Sequence, residues 1–401
     1  MWKFISLLIC SYTTYVFAAA AKTSGCSIKL PTDIKGFAPV ILTAVSKNDY
    51  KLFKPTGEIT NLKEGTKLRL VCTGNKNVFE NTSYDTLELK CSKGNFVDAN
   101  NNVQPLSELV CKSIPSSSMK ITNEECSNGN GYIYETGFQI EDEFYGPVFE
   151  ICYSNVTENT FYTHGILNGA AMDYSISEST RRSFTADGMQ FSTTKTNTFY
   201  TQKNQIKRFE QYFGSDQTYI DTKNFLARGH LAADADFIFG YEKLATYYYA
   251  NVAPEFQLIN AGNWLRVEEL ARSASANYKD DIESYNSYMG ILKLPNNNGD
   301  LVEIYLDDTQ KIEVPKYYFK VLVHRASDSS IVFVTVNNPY IEDGPAEEFC
   351  TNVCEKSGLV HANFPDVTKG YTFCCELEEF KELVDFLPAE VQGSKLLKRN
   401  L

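Results

Sequence analysis

Phe225-Leu226-Ala227-Arg228-Gly229-His230-Leu231-Ala232-Ala233-Asp234-Ala235-Asp236-Phe237 is the stretch whose reading decides the fold, together with Asn260-Ala261-Gly262-Asn263-Trp264-Leu265-Arg266-Val267-Glu268-Glu269-Leu270-Ala271-Arg272 thirty residues further on. The first closes a β-like segment on a histidine. An arginine two residues before it can hold a phosphate while the imidazole takes a proton. The glycine between them lets the backbone turn tightly beside a bulky substrate. In the second stretch Asn260, Trp264, Glu268 and Arg272 step by four, so a helix running from near Asn260 to about 278 carries them along one side. That side offers an amide oxygen, a carboxylate and a guanidinium. Mg²⁺ accepts such an oxygen-rich setting because it keeps much of its water shell. The plainer reading of the helix is a solvated face with a Glu268–Arg272 ion pair.

Arg228-Gly229-His230, then Asn251 in Tyr249-Ala250-Asn251-Val252-Ala253-Pro254, then Asn260, Trp264, Glu268 and Arg272 resemble the active-site pattern of the non-specific DNA/RNA endonucleases, also called ββα-metal or His-Me finger nucleases. The wording around His230 is most similar to the secreted arthropod branch, with its insect double-stranded ribonucleases and salivary endonucleases. The resemblance spans roughly 126–387 and implies these roles. His230 is the general base that draws a proton from the attacking water. Asn260 is the direct protein ligand of one Mg²⁺, with Mn²⁺ as a substitute, and Glu268 reaches the ion through water. Arg228 and Arg272 hold the scissile phosphate, and Asn251 holds the loop or a metal-bound water. Arg181 or Arg182 stands for the family's upstream phosphate arginine. The resemblance further implies Mg-dependent hydrolysis of DNA, RNA or both, double-stranded substrates included, with 5′-phosphate ends. One departure is visible: the family's commonest motif has aspartate where this chain has Ala227.

Working outward, the first 20 residues read as a secretory leader: a short basic start, an apolar run and Ala18-Ala19-Ala20. Removing Cys10 with it leaves 10 of the 11 cysteines, an even number that suits an oxidising, extracellular compartment. Sequons at Asn81 and Asn155 agree with a secreted glycoprotein. No later stretch is long and apolar enough for a membrane span, so no membrane partner is expected.

Net charge is −12, which on its face argues against a polyanionic partner. Between Arg181 and His230, however, eight basic residues (Arg181, Arg182, Lys195, Lys203, Lys207, Arg208, Lys223, Arg228) face four acidic ones, a basic lane on an acidic body.

Residues 22–112 read as a small β module with Cys26, Cys72, Cys91 and Cys111 open to three pairings. A linker follows at 113–125, an α+β nuclease domain with a central antiparallel sheet at 126–390, and a basic tail at 391–401. A second helix is expected over 376–387, stopped by Pro388, with Cys350, Cys354, Cys374 and Cys375 stapling this end. Tyr247-Tyr248-Tyr249 reads as a half-buried strand that could alternatively stack on bases. His164, His324 and His361 read as structural. Two other functions compete with an enzyme: nucleic-acid binding on a nuclease scaffold, and a host-directed interaction carried by the N-terminal module.

Overall fold

The computed structural model describes residues 25–399 apart from 47–48, 178–180, 188–195 and 342–347. The expected leader and Lys195 lie outside the described residues.

The N-terminal module is built on five antiparallel strands in the order Tyr50–Leu52, Val40–Ala44, Lys67–Val71, Thr86–Ser92, Asn95–Val97. Alternation explains their faces: Leu68 and Leu70 are buried while Lys67 is exposed. A ribbon of Cys26–Lys29 against Ile59–Leu62 closes the module. Of the three pairings open to its cysteines, the structure has Cys26–Cys91 and Cys72–Cys111.

The segment expected to be a linker is largely a strand. Ser118–Cys126 runs antiparallel to Gly131–Ile140, so the second half of 113–125 belongs to the central sheet. The main path of that ten-stranded sheet runs Glu143–Tyr145, Gly131–Ile140, Glu150–Tyr153, Thr160–Asn168, Asp281–Ile291, Pro315–His324, Ser329–Val336, Thr372–Cys375. Pro315–His324 and Ser329–Val336 are buried almost throughout because both faces of the sheet are covered there. On Pro315–His324, Tyr317, Phe319, Val321 and Val323 meet the C-terminal layer of Leu377, Phe380 and Val384. Tyr318 and Leu322 point the other way, into a cluster with Trp264 and Val267. That same cluster continues into Ile41 and Leu42 of the N-terminal module. Phe53 meets Phe239 with ring centroids 6.0 Å apart, and the Asn168 amide donates to Pro55 O at 2.9 Å. The module and the nuclease domain therefore share one core.

Three further expectations are corrected. The helix over 376–387 is only Leu377–Lys381; Val384 and Leu387 stay buried, but in irregular chain beyond it. The basic tail is part of the fold, since Lys395–Leu396 pairs in parallel with Ser329 and Ser330 and Leu397 is buried. Tyr247, Tyr248 and Tyr249 are buried, yet they approach a short 3-10 turn, Tyr249–Asn251, rather than form a strand. Cys350–Cys375 and Cys354–Cys374 staple the C-terminal layer, and Cys126–Cys152 joins Ser118–Cys126 to Glu150–Tyr153. His164 hydrogen-bonds Glu150 at 2.9 Å and His324 reaches Asp280 at 3.2 Å, both as sheet residues.

Candidate active site

Leu226–His230 pairs antiparallel with Val252–Phe256, His230 opposite Val252 and Arg228 opposite Pro254. The chain then passes through Asn260–Trp264 into the helix Leu265–Tyr278, giving strand, strand, helix. The helix begins later than its spacing suggests. Gly262 leaves helical geometry (φ −98°, ψ −118°). A Cβ there would lie 2.7 Å from the Lys369 carbonyl oxygen, so only glycine admits this close approach. Asn263 pins the same turn by donating to Gly370 O at 2.6 Å and Asn363 O at 2.8 Å. Asn260 is thus presented on a kinked turn ahead of the helix that carries Glu268 and Arg272.

His230, Arg228, Asn260, Arg181 and Arg182 line one cavity of about 440 Å³, with Phe184, Asn197, Tyr200, Tyr247 and Gln257. The imidazole sits between Phe184 and Tyr247, each with its ring centroid 5.0 Å away. His230 Nε2 is buried and has no hydrogen-bond partner among the described residues. Burial pushes the His230 pKa down to about 4; Asp234 opposes this and Arg181 adds to it. The ring is therefore neutral at pH 7, the form a base requires. Its backbone carbonyl accepts from the Trp264 indole N–H at 3.4 Å. Arg228 is held by Asn197 Oδ1 at 2.6 Å and the Tyr249 hydroxyl at 3.3 Å, with its guanidinium 5.1 Å from the Tyr200 ring centre. The Asn260 side chain makes no hydrogen bond among the described residues, which leaves its amide oxygen available.

Asn251, Glu268 and Arg272 stand outside that lining. The Asn251 amide is wholly committed to the loop after His230: it accepts from Ala232 N and donates to Ala232 O and Thr246 O, each at 2.9 Å. These bonds tie Asn251 to the loop that follows His230. Arg272 does not bond Glu268. It pairs with Asp236 at 3.0 Å, and Asp236 also receives the wholly buried Lys320 at 3.1 Å. Glu268, half-buried beside this triad, has its pKa pushed up to about 8 by burial first and by Asp236 second, against the pull of Lys320 and Arg272. The basic lane also divides. Arg208 turns into the fold, donating to Tyr305 O at 3.0 Å and Asp307 O at 2.8 Å, while Arg181, Arg182 and Arg228 face the cavity.

Gly229 lies in a regular strand, so its role is not the tight turn read from the sequence. A Cβ there would meet Glu255 Oε2 at 2.4 Å. Glu255, Asp236, Lys320 and Phe184 were not identified from the sequence. Asp236 meets Lys320 only through long-range packing, and Glu255 reaches Gly229 only through the hairpin register. The Asp-x-Asp repeat at Asp234 and Asp236, directly after the histidine, was the one local signal for them.

No group of three or more His, Cys, Asp or Glu side chains is placed to hold a metal among the described residues. Available oxygens at Asn260 and Glu268 suit an ion that keeps most of its waters.

Comparison with known proteins adds to this geometry. The sequence family described as DNA/RNA non-specific endonuclease matches residues 128–380. Salivary protein Tsal1 of Glossina morsitans morsitans is 36% identical over 395 residues, covering 97% of this chain and 98% of that protein. A salivary endonuclease of Lutzomyia longipalpis is 32% identical over 391 residues, covering 94% and 88%. Among solved structures, the EndoG/EndoGI complex aligns with a TM-score of 0.34 at 17% identity, over 50% of this chain and 76% of that one.

Proposed function

The chain belongs to the DNA/RNA non-specific endonuclease family, and from that premise we propose that it is a secreted, metal-dependent endonuclease. It hydrolyses phosphodiester bonds of DNA, RNA or both, double strands included, with little sequence preference. The observation that carries this reading is the cavity on which Arg181, Arg182, Arg228, His230 and Asn260 converge. Its single histidine is neutral, and its cations come from two separate segments of chain.

The residues divide the chemistry as follows. His230 takes the proton of the water that attacks phosphorus. The P–O3′ bond then breaks, the phosphate stays on the 5′ side, and the 3′ oxygen takes a proton from solvent. Arg228, already fixed by Asn197 and Tyr249, turns its remaining N–H groups to the phosphate oxygens, and Arg181 or Arg182 adds charge from the facing segment. Asn260 directly, and Glu268 through water, are the residues that would hold a divalent cation, Mg²⁺ with Mn²⁺ as substitute. When bound, the ion supplies charge at the scissile phosphate and its leaving oxygen. Arg272 is held to Asp236 behind the cavity wall. It acts on the phosphate only through the field it adds, a narrower role than the resemblance implies. Cations that meet phosphates carry no sequence information, hence little preference between sequences. The salivary relatives and the five disulfides support secretion.

The test is cleavage of plasmid DNA and of long double-stranded RNA, with Mg²⁺ and with EDTA, by the wild type and His230→Ala. Cleavage only with metal, nearly abolished in His230→Ala, is the expected result. A wild type that cuts neither substrate between about pH 6 and 9, where the imidazole is neutral, refutes the enzyme reading. Binding of nucleic acid by the arginine-lined cavity then becomes the leading account.

A further inference from the structure

Glu255 stands directly across the hairpin from Ala227. Opposite residues of an antiparallel pair share a face, so its side chain leaves on the side of Ala227 and Gly229, away from Arg228 and His230. It is 0% exposed, and neither carboxyl oxygen has a hydrogen-bond partner among the described residues. The Tyr318 hydroxyl, also buried and without a partner there, points to the same place. A Cβ built on Gly229 would lie 2.4 Å from Glu255 Oε2 and 3.1 Å from the Tyr318 oxygen. Of the charged groups nearby, Glu268 of the helix acts on Glu255, and Glu268 is in turn flanked by Arg272, Asp236 and Lys320.

Folding alone does not account for such a residue. An apolar side chain of the same size would remove a buried polar group without partners and would be more stable. What Glu255 does touch is the motif. It fills the space beneath Gly229, while Trp264 holds the carbonyl of His230 from the same side and packs 5.3 Å from Tyr318. Two consecutive residues of the motif are therefore propped from below by one connected group: Glu255, Tyr318 and Trp264.

We infer that Glu255 is a positioning residue of the active site, whose carboxyl group sets the height of the Gly229–His230 backbone over the helix that carries Glu268. The inference rests on the nuclease reading above. Neither carboxyl oxygen has a hydrogen-bond partner among the described residues, so Glu255 acts through the shape and polar atoms of its side chain, which glutamine shares. Because Ala227 shares its face, a carboxyl moved across the hairpin to that position reaches the same layer.

The experiment compares Glu255→Leu, Glu255→Gln, Glu255→Ala and the double variant Ala227→Asp/Glu255→Ala, each secreted as the full chain. Thermal unfolding, kcat and KM on plasmid DNA are measured. Glu255→Leu should melt at or above the wild type, keep KM within about twofold and lose about tenfold or more in kcat. Glu255→Gln should retain most of kcat, and Ala227→Asp should restore most of what Glu255→Ala loses. Wild-type kcat in a stable Glu255→Leu overturns the inference, as does a Glu255→Gln no better than Glu255→Leu. Trp264 gives a readout that needs no catalysis, because the only other tryptophan of the sequence is Trp2, within the stretch read as a secretory leader. Its emission should shift in Glu255→Leu and not in Glu255→Gln; no shift in either also overturns the inference. A wild type that fails to cleave refutes the nuclease reading, and the emission result still decides this one.

Discussion

Replacing Asp236 by asparagine keeps the shape of the side chain and removes the one carboxylate that Arg272 and Lys320 share. Lys320 is 0% exposed and bonds Asp236 at 3.1 Å, with Ser284 and Asn286 as its other partners. Arg272 bonds the same carboxylate at 3.0 Å. Removing one member of a buried ionic group costs about 3–5 kcal/mol, because the remaining charge is left uncompensated. Glu268 softens the loss: relieved of repulsion by Asp236, it ionises more readily and faces both cations. The lower end, about 3 kcal/mol, is therefore expected, equivalent in a chain of this length to a melting temperature lower by roughly 4 °C. Lys320→Met fills the same volume and leaves Asp236 paired with Arg272, so it should cost clearly less. The double variant Asp236→Asn/Lys320→Met should then be more stable than the sum of the singles by roughly 1–3 kcal/mol. Denaturant unfolding of the four proteins measures this cycle. An Asp236→Asn protein within about 1 kcal/mol of the wild type, or additive singles, refutes the account of a shared buried carboxylate.

Three further outcomes follow from the same geometry. His230 has its pKa lowered to about 4 in the fold against 6.5 for a free histidine. Its neutral form therefore persists on acidification, and stability is lost as pH falls from 6.5 towards 4 while the unfolded chain gains the proton. His230→Gln should flatten that acid-side decline in melting temperature, and an unchanged decline contradicts it. Glu268 is shifted the other way, to about 8 from 4.5. The folded chain holds that proton more tightly, so stability falls as pH rises between those values. Glu268→Gln should gain on the wild type as pH rises across that window, followed by melting in the absence of metal. Gly229→Ala should destabilise by about 1–3 kcal/mol through overpacking against Glu255. Adding Glu255→Ala should recover only the part of the loss due to the carboxyl, since the Cβ of residue 255 still lies 2.8 Å from the new methyl, and a double variant no better than the single rejects the contact.

The strand, strand, helix order and the cavity residues were legible because the motif is local. Arg228 and His230 lie two residues apart on one strand, and Asn260 follows at a fixed distance in sequence. What the sequence left unread depends on distant chain. Spacing by four suggested a helix from Asn260, but the approach of Lys369 at Gly262 kinks the chain there. A Glu268–Arg272 pair looked natural on one helix, yet Asp236 and Lys320 compete for that position from a turn and a sheet strand. Glu255 reads as an ordinary charged residue until the hairpin register sets it under Gly229. The basic lane was counted correctly as charge. Which of its arginines faces the cavity and which faces the fold is decided by the packing of Arg208 against 305–308.

The apolar cluster that runs from Ile41 and Leu42 through to Trp264 and Leu322 bears on how this chain can be inherited. A cassette that is gained, lost or exchanged between genes must leave a finished surface where it is removed. Here removal would expose the wall behind Trp264, whose indole holds the carbonyl of His230. Loss of the small disulfide-linked module alone would therefore unsettle the hairpin that carries His230. Substitutions at Leu42 or Phe53 are constrained by the nuclease whether or not the module has any task of its own.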